Sequence, residues 1–72
     1  MPYVRIEILE GRTEDQKAAI AASVTQALVE HAGANPQSVF VVFDDVAPQN
    51  WATAGTLVSR RNAAPPLPSA SR

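Results

Sequence analysis

The feature that most constrains the fold is a change of apolar periodicity near the start of the chain. From Tyr3 to Leu9, apolar and polar side chains alternate, which is typical of a strand with one buried face. The sequence Thr13-Glu14-Asp15-Gln16 then matches a capping box, in which the two outer side chains accept from each other's backbone N–H groups. After it, apolar residues recur every three or four positions, the spacing of a helix. A strand followed directly by a long helix is therefore predicted.

The predicted helix has a clear end, and a second strand follows it. Gly33 suits the left-handed conformation that often terminates a helix, and Pro36 prevents the helix from resuming. The run Ser38–Phe43 is β-branched and aromatic, as in a strand that is buried on both faces. Asp44 and Asp45 are expected to close this strand. The apolar stripe of the helix is predicted to contain Ile20, Val24, Ala27, Leu28 and His31.

Strand, helix and strand in this order predict an α+β fold built on one β-α-β unit with parallel strands. One helix covers only one face of such a sheet, so a second layer has to come from another subunit. The chain has 72 residues and no cysteine, which leaves a small core without disulfides. We therefore expect a homo-oligomer in which dimerisation extends the sheet.

The remainder of the chain predicts turns and a tail. Residues 46–57 contain Pro48, Asn50 and Gly55, a composition that favours turns and a small hairpin. Arg60 and Arg61 are expected to end the ordered region. The predicted organisation is a single β-α-β domain over residues 1–61 and a flexible Pro/Ala/Ser-rich tail over residues 62–72.

Composition argues against several functional classes. Six Lys and Arg against seven Asp and Glu give a formal net charge of -1, which disfavours a nucleic-acid binder. The longest apolar run, Val39 to Phe43, is too short to cross a bilayer, and no signal peptide is visible, so a cytoplasmic location is predicted. The absence of cysteine excludes a thiol nucleophile. His31, the single histidine, has no further ligands at metal-binding spacing, so no metal is expected.

Pro2 is the residue whose chemistry most favours a catalytic role. Removal of Met1, which is usual before a small residue, would leave a secondary amine at the start of the chain. The ordinary pKa of an α-amino group lies close to neutrality, so such an amine can both accept and return a proton near neutral pH. The alternative interpretation is that Pro2 only begins an edge strand, where the missing N–H costs nothing.

Several of these features together resemble the 4-oxalocrotonate tautomerase family over residues 2–61. They are Pro2, the turn Leu9–Arg12, the capping box followed by Lys17, the strand Ser38–Phe43 and Trp51. The resemblance implies β-α-β subunits that form dimers and then hexamers as trimers of dimers. It also implies an isomerase that moves a proton between carbon and oxygen of a small 2-oxo or 2-hydroxy dienoate acid, needs no cofactor, and serves the breakdown of aromatic compounds.

The resemblance also implies roles for individual residues. Pro2 is expected to act as general acid and base, and Arg12 to bind a carboxylate, for which the guanidinium fork is well shaped. Leu9, Phe40, Asn50 and Trp51 are expected to contact the substrate. Each of three residues also has an alternative role that remains open. Arg12 could be a solvated loop residue, Trp51 an interface anchor and Asn50 a turn residue.

Phe40 departs from the family pattern, because the type member has a second arginine at that position. A monocarboxylate such as phenylenolpyruvate is therefore a better expected substrate than a dicarboxylate. A hydratase or dehalogenase of unsaturated haloacids on the same scaffold is the alternative enzyme. Such an enzyme needs a carboxylate to activate water, where this chain has Thr53, with Asp44 and Asp45 as weak substitutes.

The alternative from another class is a non-catalytic oligomeric binding module that keeps Met1. The pair Arg60 and Arg61 leaves a similar choice open. Both arginines could bind a carboxylate in a neighbouring subunit's site, although a solvated charged end is the more common role of such a cluster.

Overall fold

The computed structural model describes residues 1–63, and residues 64–72, most of the predicted tail, lie outside the described part. In chain order the elements are β1 (Tyr3–Leu9), α1 (Glu14–Ala32), β2 (Phe40–Val46), β3 (Ala52–Thr53), β4 (Thr56–Leu57) and α2 (Val58–Ala63). Short 3-10 turns occupy Pro36–Ser38 and Pro48–Asn50. The predicted β-α-β order is confirmed.

β1 and β2 form a two-stranded parallel sheet whose register runs from Tyr3 opposite Phe40 to Leu9 opposite Val46. Paired residues of parallel strands point to the same side of the sheet. One face, against α1, therefore carries the alternating half-buried residues of both strands. We call the opposite side the open face. Its members are Tyr3, Arg5, Glu7, Leu9, Phe40, Val42, Asp44 and Val46.

The ends of α1 are those that the sequence predicts. The N–H of Gln16 donates to Thr13 Oγ1 at 3.1 Å, and the N–H of Thr13 donates to Gln16 Oε1 at 2.8 Å, which completes the capping box. Gly33 ends the helix in the left-handed conformation, with φ of 67°. Both cap predictions are confirmed, because each depends only on a few neighbouring residues.

The predicted apolar stripe of α1 is wrong at two positions, since Ala27 and His31 are exposed. At about 1.5 Å per residue α1 is roughly 28 Å long, whereas the seven-residue strands span roughly 23 Å. The difference of about 5 Å corresponds to roughly three residues, so it bears on His31 in the last turn of α1 and not on Ala27, which lies outside the half-buried stripe. The half-buried helix residues are Lys17, Ile20, Ala21, Val24, Thr25, Leu28 and Val29.

The bounds of the second strand also differ from the prediction. Ser38 belongs to the 3-10 turn, so β2 begins at Phe40, and Asp44 and Asp45 lie within the strand instead of closing it. The two carboxylates are accommodated because they point to opposite faces, where each meets a cation. Asp44 pairs with Arg5 on the open face, and Asp45 pairs with Lys17 of α1.

The predicted hairpin is confirmed, with Thr53 pairing with Thr56. Its two-residue turn has φ of 54° at Ala54 and 81° at Gly55. Positive φ at both positions is the geometry of a type I′ turn.

Arg60 and Arg61 lie within α2, a helix that continues to Ala63. Two hydrogen bonds hold this helix to the hairpin. The N–H of Val58 donates to the Trp51 carbonyl at 2.8 Å, and Arg61 Nη2 donates to the Thr53 carbonyl at 3.4 Å. These contacts join residues several positions apart, which explains why local composition did not predict the helix.

No residue between 1 and 61 is fully buried in the isolated chain. The large apolar residues left most exposed include Tyr3 at 62%, Phe40 at 49% and Val42 at 41%, all on the open face. The predicted burial of the second strand on both faces is therefore not achieved within one chain. Of the helices among residues 1–63, none combines the length and apolar character that crossing a bilayer requires.

Candidate active site

Pro2 and Phe40 lie together at one end of the sheet. The N–H of Phe40 donates to the Pro2 carbonyl at 3.0 Å, which fixes residue 2 at the start of β1. Pro2 is half-buried, whereas the neighbouring Met1 is 86% exposed. The backbone therefore places Pro2 firmly and leaves the residue before it accessible to solvent.

The remaining predicted site residues lie at the opposite end. Leu9 ends β1 opposite Val46, and Arg12 is exposed in the loop that leads into α1. Asn50 and Trp51 follow the end of β2, Asn50 as the last residue of a 3-10 turn and Trp51 as the half-buried residue after it.

The two groups are far apart within one chain. β1 contains seven residues, so at about 3.3 Å per residue roughly 23 Å separate Pro2 from the end of the strand. No single side chain bridges this distance. Pro2 and Arg12 of one chain therefore cannot share a site, and a site containing both residues requires a second copy whose opposite end meets the first.

An open surface depression of about 280 Å³, called the cavity below, lies at the Arg12 end of the isolated chain. It is lined by Glu7, Val46, Asn50, Trp51 and Ala52, so it brings together two of the residues predicted to contact the substrate. Glu7 was not among the predicted site residues. The strand alternation carried the relevant signal, because it places Glu7 on the same face as Leu9, two positions away.

Three charged side chains form a cluster beside this cavity. Arg5 Nη2 lies 2.5 Å from Asp44 Oδ2, and Arg5 Nε lies 3.6 Å from Glu7 Oε2. The hydrogen bond and charge of Asp44, with a smaller share from Glu7, raise the pKa of Arg5, so its guanidinium stays charged. One cation faces two carboxylates, which leaves an excess of one negative charge on this part of the open face.

The carboxylates considered as substitutes in a hydratase are already engaged. Asp44 binds Arg5, and Lys17 Nζ lies 2.6 Å from Asp45 Oδ2. Thr53 is exposed in the hairpin. His31 lies far along α1 with its Nε2 3.8 Å from Glu30. Among residues 1–63, no three His, Asp or Glu side chains meet as potential metal ligands.

Comparison with known proteins shows the family to which the chain belongs. Residues 2–61 match the family model described as tautomerase enzyme. The chain is 49% identical over 55 residues to a 2-hydroxymuconate tautomerase of Comamonas testosteroni, covering 76% of this chain and 87% of that protein. It is 40% identical over 65 residues to a probable tautomerase of Ralstonia nicotianae, covering 90% of this chain and 100% of that protein.

A solved structure supports the same conclusion. TomN, described as a 4-oxalocrotonate tautomerase homologue in the tomaymycin biosynthetic pathway, superposes with a TM-score of 0.82 at 32% identity. The superposition covers 88% of this chain and 97% of TomN. Sequence and fold thus agree over nearly the whole described part of the chain. The chain is a tautomerase enzyme and belongs to the 4-oxalocrotonate tautomerase family.

Proposed function

We propose that the protein catalyses enol–keto proton transfer on a small 2-oxo carboxylate, with Pro2 as general acid and base. The substrate would be a 2-hydroxy dienoate or a phenylenolpyruvate-like acid. The observation that carries the proposal is the placement of Pro2, half-buried at the start of β1 beside the exposed Met1. The 49% identity to a 2-hydroxymuconate tautomerase supports the reaction class.

The proton transfer needs one group with two protonation states. After removal of Met1, the Pro2 nitrogen is a secondary amine that takes the enol hydroxyl proton and returns it to carbon. An apolar surrounding disfavours the charged form of such an amine and keeps it available as a base near neutral pH. In this proposal Trp51 of a second copy supplies that surrounding, since within one chain the two residues lie at opposite ends of the sheet.

Arg12 has the complementary role of binding the substrate carboxylate. Its guanidinium is exposed in the isolated chain, and a fork of N–H donors recognises a carboxylate at two points. As charge develops on the substrate oxygen during proton transfer, a fixed cation stabilises the transition state. Leu9 and Asn50 complete this half-site. We propose a homo-oligomer, a hexamer built from dimers, in which each site combines half-sites from different copies.

The sequence at position 40 favours monocarboxylates. Phe40 adjoins Pro2 and offers an aromatic surface where the family's type member has a cation. Loss of one such charged donor costs a transition state about 3 kcal/mol, so a second carboxylate at this end is poorly stabilised. We therefore expect phenylenolpyruvate to be a better substrate than 2-hydroxymuconate.

The test is an enol-to-keto assay on phenylenolpyruvate and 2-hydroxymuconate, comparing the parent with Pro2→Ala, Arg12→Ala and Arg12→Lys. We expect Pro2→Ala to lower kcat by about 100-fold or more, the usual contribution of a positioned acid or base. Arg12→Ala should lower kcat/KM, and Arg12→Lys should recover only part of it, because lysine keeps the charge but not the fork. Unchanged kinetics of Pro2→Ala on both enols would overturn the mechanism.

Two further measurements separate this proposal from its alternatives. Intact mass of the purified protein reports whether Met1 is present; a retained Met1 makes the Pro2 nitrogen an amide and favours a non-catalytic binding module. Chloride release from a 3-haloacrylate reports a dehalogenase, and Glu7 is the carboxylate to replace if it is observed, because it lines the cavity beside Trp51.

A further inference from the structure

We propose that the outer edge of β1 pairs antiparallel with β1 of a second copy, with the two-fold axis at Ile6, and that Arg5 and Glu7 select this register. Each Arg5 then lies opposite Glu7 of the second copy. The sequence predicts only that dimerisation extends the sheet, whereas this pairing specifies the edge, the register and the residues that select it. It depends on the backbone and charges of β1 and not on the proposed reaction.

The backbone of β1 has an edge suited to such pairing. At the two ends of the ladder with β2, the N–H of Phe40 donates to the Pro2 carbonyl at 3.0 Å, and the N–H of Glu10 donates to the Val46 carbonyl at 2.9 Å. Even-numbered residues of β1 therefore direct their backbone groups toward β2, and odd-numbered residues direct theirs to the other edge. Within residues 1–63, β1 pairs with β2 alone. Its outer edge therefore presents the backbone groups of Tyr3, Arg5, Glu7 and Leu9 to a further strand.

Charge selects one register of this edge. With the axis at Ile6, all seven residues of β1 are paired, and Arg5 lies opposite Glu7 of the second copy on both sides of the axis. Moving the axis to Arg5 sets two arginines opposite each other, and moving it to Glu7 does the same with two glutamates. Opposite charges across an antiparallel pair are stabilising, and like charges are destabilising. The remaining pairs in the first register join apolar or aromatic residues: Tyr3 with Leu9, Val4 with Ile8, and Ile6 with itself.

The isolated chain leaves these charges incompletely matched. Glu7 lies directly opposite Asp44 in the register of β1 with β2, so two carboxylates are neighbours. Arg5 lies closer to Asp44, at 2.5 Å, than to Glu7, at 3.6 Å. The Arg5 and Glu7 side chains are 52% and 59% exposed, so both are accessible to another chain. In the proposed pair, Arg5 of the second copy lies on the side of Glu7 away from Asp44 and supplies the cation that Glu7 lacks.

The outer edge of β2 offers no comparable pairing. β2 contains two carboxylates, Asp44 and Asp45, and no cation, so no antiparallel register of β2 with itself sets opposite charges against each other. Pairing of β1 with β2 of the next copy is a head-to-tail contact, which continues from copy to copy unless the rotation closes a ring. The outer edge of β1 is therefore the edge suited to a closed dimer.

The same register brings the two ends of the sheet together. With the axis at Ile6, Pro2 lies opposite Glu10 of the second copy, and Arg12 of that copy follows two residues later. Pro2 of one copy and Arg12 of the other then lie at the same end of the extended sheet. A site with both residues requires this arrangement, and the two-fold dimer contains it twice.

The first test determines the register from disulfide formation. The sequence has no cysteine, so one introduced cysteine can cross-link only to the same position of another copy. With the axis at Ile6, the two cysteines of Ile6→Cys are directly opposite and within bonding range. Those of Arg5→Cys lie about 7–8 Å apart across a diagonal, as do those of Glu7→Cys, which is too far to close without backbone movement.

We expect oxidised Ile6→Cys to migrate as a covalent dimer on a non-reducing denaturing gel, and Arg5→Cys and Glu7→Cys to migrate as monomers when each is oxidised alone. A mixture of the last two should cross-link, because positions 5 and 7 are opposite each other. This mixture also tests the register at exposed positions if Ile6→Cys does not fold. A mixture that stays monomeric, or a dimer from either exposed variant alone, contradicts the proposed register.

The second test reverses the charges. Arg5→Glu sets glutamates opposite each other on both sides of the axis, and Glu7→Arg does the same with arginines. Each variant should raise the dissociation constant of the oligomer by about tenfold or more, measured by size-exclusion chromatography over a dilution series. A one-to-one mixture should regain the association of the parent, because each variant carries the charge that the other lacks. Loss of the fold would not be repaired by mixing.

Two controls separate register from net charge. Carrying both Arg5→Glu and Glu7→Arg in one chain keeps the net charge of the parent and restores the opposite pairs, so it should associate like the parent. Glu30→Arg changes net charge as Glu7→Arg does, at a side chain of nearly equal exposure, 57% against 59%, and should also associate like the parent. The inference is wrong if the single reversals associate as tightly as the parent, if mixing them restores nothing, or if Glu30→Arg weakens association equally. Neither test measures turnover, so a protein inactive on both enols would contradict the proposed function and leave this pairing intact.

Discussion

Lys17 Nζ on α1 lies 2.6 Å from Asp45 Oδ2 on β2, and this ion pair ties the first turn of the helix to the end of the sheet. Both side chains remain partly exposed, so solvent screens the attraction. We expect Lys17→Met to lower the free energy of unfolding by about 0.5–1 kcal/mol, and by less in high salt. Urea unfolding at one fixed protein concentration measures this.

The specific coupling follows from a double-mutant cycle with Asp45→Asn. If the ion pair is the cause, the double variant loses little more than either single variant. If the loss of unfolding free energy in the double variant equals the sum of the losses in the two single variants, each side chain acts independently of the other.

Replacing Ala54 in the hairpin turn should stabilise the protein. Ala54 has φ of 54°, a conformation that alanine adopts at a cost and asparagine tolerates better. Ala54→Asn creates the Asn-Gly pair preferred by type I′ turns, and we expect a gain of about 0.5 kcal/mol in thermal or urea unfolding.

Replacing Gly55, the second residue of the turn, should have the opposite effect on stability. It has φ of 81°, and an added Cβ would meet no atom within 4 Å, so Gly55→Ala tests the backbone conformation alone. A loss of about 1 kcal/mol is expected. A stabilising Gly55→Ala would mean that the turn does not have this geometry in solution.

Restoring a cation at position 40 should broaden the substrate range. Phe40→Arg places a guanidinium beside Pro2, where the type member of the family has one. We expect the relative kcat/KM for 2-hydroxymuconate to increase by at least about tenfold, part of what one charged donor contributes at such sites. Phe40→Met, which removes the ring without adding charge, should not produce the increase. An equal increase in both variants would point to space rather than charge.

The proposed base predicts an acid limb in the pH–rate profile. Only the uncharged amine of Pro2 accepts a proton, so kcat/KM should fall about tenfold per pH unit once the pH is below the pKa of the amine. At pH values above this pKa the amine is uncharged, so kcat/KM should no longer depend on its protonation. Protein that retains Met1 has an amide nitrogen there and should show little activity at any pH. A flat profile in the trimmed protein would exclude this base.

The parts of the fold that were predicted correctly are those set by neighbouring residues. The capping box at Thr13, the left-handed Gly33 and the turn before Thr56 each depend on a few consecutive positions. The end of β2 could not be predicted in this way. Asp44 and Asp45 resemble turn residues until their partners, Arg5 and Lys17, are known to lie beside them.

The candidate site also has features that the sequence predicts and features that only the structure shows. The identity of Pro2, Arg12 and Trp51 as candidates came from the sequence and its resemblance to a family. Their placement at opposite ends of the same sheet was known only from the register of β1 and β2. Glu7 became a candidate only when the cavity beside Trp51 was seen, because strand alternation gives a side chain its face but not its neighbours.

The hydrogen bond from Phe40 to the Pro2 carbonyl has a consequence for maturation of the chain. The Pro2 carbonyl oxygen accepts a hydrogen bond from the second strand. The Pro2 nitrogen donates none, because in the peptide bond to Met1 it carries no hydrogen. Cleavage of the peptide bond before Pro2 thus breaks no interstrand contact. Under the proposed mechanism, removal of Met1 by an aminopeptidase would create the catalytic amine without altering the strand pairing, and the untrimmed chain would be folded but inactive.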